Sequence, residues 1–303
     1  MVELRLRGGL GNQMSQVAFS YLLAIKRNDK LCIDVSSYHN YTIRECSIQK
    51  MKLNDRIFFM DGANSLSYRY RRLCQEKYHL ERYIGKKMGK GQFGKDVFIK
   101  HVKRGHYYNF DSDYYGYPQS SHKDVDVYGY FLATEYFQDE IDEIQKAFEV
   151  KREHIGERAR KYEGLIGESK NPIAISLRLQ DDYVLNKNLY VCKPEYYVRA
   201  KEIMDIMNPD ADYFIFADDI SRAKELRLEL FKKTIFLEGI SDVEGMHLMC
   251  KCKNFIIANS SFSWWGAYLS RNKDKVIIAP ERWMNSNADY RDKYYSNMLT
   301  ISV

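Results

Sequence analysis

The chain has 303 residues, 45% of them hydrophobic and 29% charged, with a net charge of +6. That length suits two domains of about 150 residues each, and the composition excludes a disordered or collagen-like chain. No apolar run reaches the ~20 residues of a membrane span, and the opening Val2-Glu-Leu-Arg-Leu-Arg7 reads as a charged strand rather than a signal peptide.

The six cysteines (32, 46, 74, 192, 250 and 252) show no Cys-x-x-Cys pair and no regular framework, which suits reduced thiols in the cytosol. Cys250 and Cys252, two apart beside lysines, leave a metal or redox role open. The modest positive charge fits an anionic nucleotide-sugar, a membrane surface or nucleic acid. Zinc-finger spacing and the RRM aromatic motif are both missing, which argues against nucleic acid. The 25 tyrosines offer flat faces with polar tips, suited to sugars and to cores alike.

In chain order, a strand over 2–6 runs into a turn with Gly8, Gly9 and Gly11. An amphipathic helix follows over 12–26, then a strand over 31–34. This is a Rossmann-like opening, although its GGxG spacing differs from the dinucleotide GxGxxG. Gly9 and Gly11 permit close approach of a ligand to the backbone; a tight strand-to-helix turn is the plainer reading. The region 68–106 is basic and aromatic, from Arg69, Arg71 and Arg72 through Lys77, Arg82, Lys86, Lys87, Lys90, Lys95, Lys100 and Lys103 to Arg104. It reads as a solvated helical face, or as a surface (69–104) that meets anionic lipid or a lipid-linked glycan.

A loop over 107–122 with Tyr114, Tyr115, Tyr117 and Pro118 is a candidate acceptor lip, unless its tyrosines pack back onto the domain. A strand over 127–131 and a helix over 136–149 follow, and charged residues 151–170 form a surface helix and interdomain link. The second half alternates strands (173–179, 213–217, 234–237, 254–258, 275–279) with helices (194–207, 220–230, 242–250, 264–270). Such alternation implies a parallel sheet covered on both faces.

The chemistry concentrates in a few stretches. In Phe255-Ile-Ile-Ala-Asn-Ser-Ser-Phe-Ser-Trp-Trp-Gly-Ala-Tyr-Leu269, a buried strand leads through Asn259, Ser260, Ser261, Phe262 and Ser263 into a helix. Free N–H groups and the positive helix end make that turn a seat for a phosphate; an ordinary N-cap with two core tryptophans is the alternative. Upstream, Ile173-Ala-Ile-Ser-Leu-Arg-Leu-Gln-Asp-Asp-Tyr183 places Arg178 inside an apolar strand, costly unless an anion meets it. Its guanidinium can grip phosphate oxygens bidentately; a structural ion pair with Asp181 or Asp182 is the competing role.

These stretches, in this order, resemble the bacterial α-1,2-fucosyltransferase family, glycosyltransferase family 11. The family's Gly-Gly-Leu-Gly-Asn-Gln-Met stands at Gly8 to Met14, and its Asn-Ser-Ser/Thr-Phe-Ser-Trp-Trp-Gly at Asn259 to Gly266. The resemblance implies an α/β fold of GT-B architecture, with two Rossmann-like domains facing a central cleft. Residues 1–155 would form the acceptor side and 165–303 the GDP-sugar side. It implies inverting, metal-independent transfer of L-fucose from GDP-fucose to the 2-hydroxyl of a galactoside in a surface glycan. No cofactor is expected beyond the donor substrate. The acceptor could be lipid-linked, and the enzyme cytoplasmic or peripheral on the inner membrane face.

On this reading Arg178 and the turn at Ser260, Ser261 and Phe262 hold the diphosphate. The resemblance gives Asn12 and Gln13 contacts to the sugar or β-phosphate. Asp218 and Asp219 would lie near the nucleoside, though a plain N-cap competes for the pair. Asp182 is the nearest candidate for a general base.

The sequence departs from the family pattern at several points. The middle motif, His-x-Arg-Arg-x-Asp-Tyr, reads Ser176-Leu-Arg178-Leu179-Gln-Asp-Asp182-Tyr183, with one extra residue. Leu132 replaces a glutamine, and Gly245 replaces an aspartate for which Glu244 could substitute. These changes are compatible with another GDP-deoxysugar such as GDP-colitose, or with a GDP-sugar-binding protein that has lost turnover. A metal-dependent GT-A enzyme would need a working Asp-x-Asp; 111–113, 124–126 and 210–212 match, but none ends a clear strand.

Overall fold

Short apolar runs separated by amphipathic ones fold as parallel strands with helical crossovers. The computed structural model describes residues 1–39, 44–62, 66–87, 93–110, 113–226, 233–286 and 289–303. These form two units, 1–148 with 291–293 and 149–290 with 294–303. The division falls at 148/149, ahead of the stretch 155–165 where the sequence suggested it. The charged stretch beyond it opens the second unit as helix α5 (Glu157–Glu168). The return of 291–293 to the first unit has no signal in so short a polar segment.

The first unit carries a five-stranded parallel sheet in the order β3-β2-β1-β5-β4. Its strands are β1 (Val2–Arg5), β2 (Leu31–Asp34), β3 (Ile57–Met60), β4 (His106–Asn109) and β5 (Val125–Gly129). Helix α1 (Leu10–Lys26) packs on the sheet and is buried through Ala24 except at Asn12. The chain runs outward from β1 through β2 to β3 and then places β5 on the other side of β1. The reversal leaves a switch point between β1 and β5, the usual place for a ligand at the carboxyl ends of the strands. The basic region contains α2 (Leu66–Lys87) and α3 (Phe93–Val102), with Lys90 outside the described residues. The expected loop at 107–122 begins instead as β4, whose four residues are all buried. Strand β5 ends two residues earlier than expected. Three short 3-10 and α segments, ending in α4 (Ile141–Ala147), replace a single helix over 136–149.

The second unit is a six-stranded parallel sheet in the order β11-β10-β9-β6-β7-β8. Its strands are β6 (Asn171–Leu177), β7 (Ala211–Ala217), β8 (Thr234–Phe236), β9 (Asn254–Ile256), β10 (Ile277–Pro280) and β11 (Met298–Ile301). Between them lie α6 (Asp181–Val184), α7 (Pro194–Met207), α8 (Ile220–Glu225), α9 (Asp242–Met249) and α10 (Ser261–Leu269). The part of the expected helix 220–230 beyond 226 lies outside the described residues.

From β6 the chain builds outward to β7 and β8, then crosses to place β9 on the other side. The second switch point therefore lies between β6 and β9. Two shifts of boundary matter. Strand β6 ends in register with β7 at Leu177–Ala217, so Arg178 stands just beyond the strand rather than inside it. A strand buried on both faces has no place for a cation. Helix α10 starts at Ser261, three residues earlier than expected, because Ser260 already takes the extended N-cap conformation. Among the described residues no helix is long and apolar enough to cross a membrane.

Candidate functional site

The second unit's switch point gathers charge on one side and the N-terminal turn of helix α10 on the other. Arg178 donates from Nη2 to Asp182 Oδ2 at 3.0 Å, and its Nε lies 3.2 Å from Asp218 Oδ2. Asp218 stands just beyond the end of β7 and is mostly buried. Burial pushes its carboxyl above the ordinary value, against the pull of the Leu179 and Gln180 N–H groups and the Arg178 guanidinium. Those N–H groups donate to Asp218 Oδ1 at 2.6 and 3.3 Å. Asp218 therefore fixes both the guanidinium and the backbone that follows it.

Arg222, which carries no motif signal in the sequence, completes this corner. Its Nη1 donates to Leu179 O and its Nη2 to Asp181 Oδ1, each at 2.7 Å. Asp219 accepts the Arg222 N–H at 3.0 Å and caps α8, so in this structure it takes the plainer of its two expected roles. Ser176 is buried within β6.

Across the switch point, Ser260 occupies the N-cap of α10 without a side-chain cap bond. The serine cap of α9 behaves differently. There Ser241 and Glu244 form a reciprocal capping box, and Glu244 also accepts the Gly156 N–H at 2.8 Å. The N–H groups of Ser261, Phe262 and Ser263 have no carbonyl within their own helix to receive them, and they lie at its positive end. The Ser263 hydroxyl is turned back to the carbonyls of Ala258 and Ser260, 3.2 Å from each.

Asn259 is held by the fold on every side. Its Nδ2 donates to Leu189 O at 2.9 Å and Trp283 O at 2.8 Å, and its Oδ1 accepts the Tyr183 hydroxyl. Tyr183 thus ties the turn after β6 to the turn after β9, and its ring lies 5.5 Å from the Arg178 guanidinium. Trp264 and Trp265 are fully buried, and Trp264 stacks on Tyr268 at 4.8 Å. Gly266 lets α10 approach α9, since a Cβ there would stand 2.3 Å from Met249 Sδ. A Cβ at Gly245 would lie 3.4 Å from Phe262, so a larger side chain there would press on the first turn of α10. Glu244, the proposed substitute for the family aspartate, has its carboxylate engaged in the capping box and at Gly156.

In the first unit, Gly8 adopts φ +87°, and a Cβ there would sit 3.0 Å from Asn12 Nδ2. Only glycine fits both the left-handed backbone and that contact. Gly9 is the N-cap of α1, again without a side-chain cap, and Gly11 is buried in the first turn. Gln13 departs from the expectation that it faces a ligand: it is fully buried. Its Nε2 donates to Gly8 O at 2.8 Å and Glu45 O at 2.7 Å, and its Oε1 accepts the Ile48 N–H at 2.9 Å. Asn12 is partly exposed, and Arg44, which carries no motif signal, lies near Gly9, where a Cβ would stand 3.5 Å from Arg44 Cδ.

The tyrosines of 107–122 largely pack back. Tyr117 stacks on Phe19 at 4.9 Å and donates to Tyr136 O, while Tyr107 donates to Pro118 O. Tyr114 stays exposed, and Leu132 is buried. Two of the Asp-x-Asp matches, 124–126 and 210–212, lie at the amino ends of strands. Asp124 meets the N-terminal ammonium, Asp126 bonds His106 and Tyr108, and Asp212 faces Lys233; Asp111 lies outside the described residues. Burial raises the Cys250 thiol to about 12 and Cys252 higher still, which keeps both inert.

Comparison with known proteins places the chain. It is 29% identical to an Escherichia coli alpha-1,2-colitosyltransferase, covering 93% of this chain and 92% of that protein. It is 26% identical to the Escherichia coli O-antigen biosynthesis glycosyltransferase WbnK, covering 93% and 94%. Among solved structures it resembles fucosyltransferase NodZ from Bradyrhizobium with a TM-score of 0.55 at 12% identity, over 88% of this chain and 91% of that one. The fold is of the GT-B class. Residues 1–299 match Glycosyl transferase family 11, and the chain belongs to that family.

Proposed function

We propose that this glycosyltransferase moves L-fucose from GDP-fucose to the 2-hydroxyl of a galactoside in a surface glycan, with inversion and without a metal. What carries the reading is the family match from 1 to 299 together with Arg178 at the carboxyl end of β6. NodZ, described as an α-1,6-fucosyltransferase, has been crystallised with GDP and soaked with GDP-fucose, which supports a GDP-sugar donor. The O-antigen relative supports a glycan acceptor, which could be lipid-linked.

Breaking the sugar–phosphate bond puts negative charge on the leaving diphosphate, so fixed donors aimed at it lower the barrier. Arg178 supplies one set and the first turn of α10 the other, while Asp218 and Tyr183 hold them in place. Asp182 is half exposed and is the partner a diphosphate would displace from the guanidinium. That exchange turns the Asp182 carboxylate from positioning Arg178 to accepting the acceptor's proton. The family resemblance gives Asn12 a contact to the sugar or β-phosphate, next to the glycine turn at Gly9.

A second reading, GDP-colitose as donor, is favoured by the similarity to the alpha-1,2-colitosyltransferase. The test is GDP release in EDTA from GDP-fucose and GDP-colitose, with and without a β-galactoside, with the product linkage read by NMR. Acceptor-dependent release from GDP-fucose and an α-1,2 linkage are expected. Release from GDP-colitose alone moves the assignment to the second reading, and no release from either points to a binding protein.

A further inference from the structure

Helix α2 is amphipathic in the inverted sense. Its inward face carries Arg71, Gln75, Tyr78 and Gly85, all buried. Arg71 pairs with Glu3, and Gln75 accepts a hydrogen bond from Arg5, both partners lying on β1. Tyr78 meets Tyr108 of β4 edge-on at 5.6 Å and His101 of α3 at 5.1 Å. Polar groups and a tyrosine dock the helix, a task that apolar residues usually perform.

The apolar residues are on the outside instead. Tyr70 is 61% exposed, Leu73 70%, Leu80 58%, Tyr83 56% and Ile84 46%. At helical spacing Tyr70, Leu73, Leu80 and Ile84 form one outward stripe that also includes Lys77 and Lys87. Arg69, Arg72 and Tyr83 border it, and all four of these cations are exposed. Residues 69–87 run for about 27 Å at the rise of an α-helix. The sequence of α2 holds seven Lys and Arg against Glu76 and Glu81, and Glu81 faces Lys100 and His101.

Scattered exposed leucines need no explanation, but a stripe along one helix does. A second copy of the chain fits poorly. A two-fold contact here would set Arg69, Arg72, Lys77 and Lys87 against the same four cations of the other copy. An anionic bilayer satisfies the apolar stripe and the cations together. We propose that α2 is a membrane-surface helix that lies flat on anionic lipid. Leu73, Leu80 and Ile84 enter the acyl boundary, Tyr70 and Tyr83 sit at headgroup level, and the flanking cations meet lipid phosphates. The proposal does not depend on the donor or acceptor reading, although it would bring the enzyme to a lipid-linked glycan.

Co-sedimentation of the full chain with vesicles of phosphatidylcholine, with or without phosphatidylglycerol, tests this. The protein should sediment only with the anionic vesicles, and binding should fall as salt rises. The Leu73→Asp/Leu80→Asp pair should weaken binding about tenfold or more, and Arg72→Glu/Lys77→Glu should weaken it too. Melting temperature and GDP binding, read on the same variants, should not change. Equal sedimentation of wild type and the Leu73/Leu80 pair overturns the proposal. So does a failure of wild type to bind, or a dimer in light scattering that this pair dissociates.

Discussion

The two strand-to-helix turns at the two switch points look alike and are built differently. Both follow the first strand of a half-sheet or its neighbour, and both open a helix whose N-cap residue makes no side-chain cap. In the first unit glycine creates the opening, and a buried glutamine braces it from below. In the second, the opening comes from a serine that does not cap, set across the switch point from an arginine held by two carboxylates. Backbone shape is concentrated at the first switch point and charge at the second. For a reaction whose main demand is to stabilise a departing diphosphate, the charged turn should dominate the kinetics.

The largest expected effect follows from that. Arg178→Ala should lower kcat/KM by about 10³, and Arg178→Lys should recover only a small part of the loss, because lysine lacks the bidentate fork. Steady-state kinetics in EDTA read both. An Arg178→Lys enzyme near wild type would mean that charge alone suffices and would blur the contrast between the turns.

Gln13→Ala sharpens the contrast from the other side. It removes three hydrogen bonds around the first turn and should cost about 2–3 kcal/mol of stability by denaturant titration. The turnover of the folded fraction should change far less. Asn12→Ala should do the reverse, lowering kcat/KM about tenfold with an unchanged unfolding midpoint. Restoring the family residue with Gly245→Asp should crowd Phe262 and raise the Kd for GDP a few-fold. Tighter GDP binding would show that the first turn of α10 tolerates the aspartate.

The smallest effect is a control away from both turns. Lys293 is buried in the first unit, and desolvation pushes its ammonium down to about 7, against the pull of Asp113 and Asp292. The folded pKa lies below the unfolded value of 10.5, so between them the unfolded chain binds the extra proton. Stability should therefore rise with pH from about 7 toward 10.5. Lys293→Met should flatten that slope and gain most below pH 7. Thermal melts across the range check it, and a slope equal to wild type would contradict the burial.

Much of the fold was legible because buried parallel strands write themselves as apolar runs. The ranges of β2 and α7 match the expected ones, and most strands of the second unit fall within two residues. The edge strands β3 and β11 do not stand out as core strands: each has four residues and is only partly buried, although β3 is wholly apolar, Ile57-Phe-Phe-Met60. The residues of the candidate site were visible as types, but their partners were not. Arg178 stood out as a cation beside apolar residues, whereas Asp218 and Arg222, 40 and 44 positions further on, reach it only through the pairing of β6 with β7. Gln13 misled because a motif residue and a buried brace look the same in one sequence. Asn259 and Tyr183 were legible as motif members, yet their bond across the switch point depends on β9 crossing to the far side of β6.

The central claim is that Arg178 and the first turn of α10 hold the donor's diphosphate. Calorimetric titration of GDP into wild type and Arg178→Ala, in EDTA and at matched melting temperature, addresses it most directly. The account predicts that wild type binds and that the variant's Kd rises by about thirty-fold or more, as for loss of a charge-assisted bidentate contact. Equal affinity in the two proteins would contradict it.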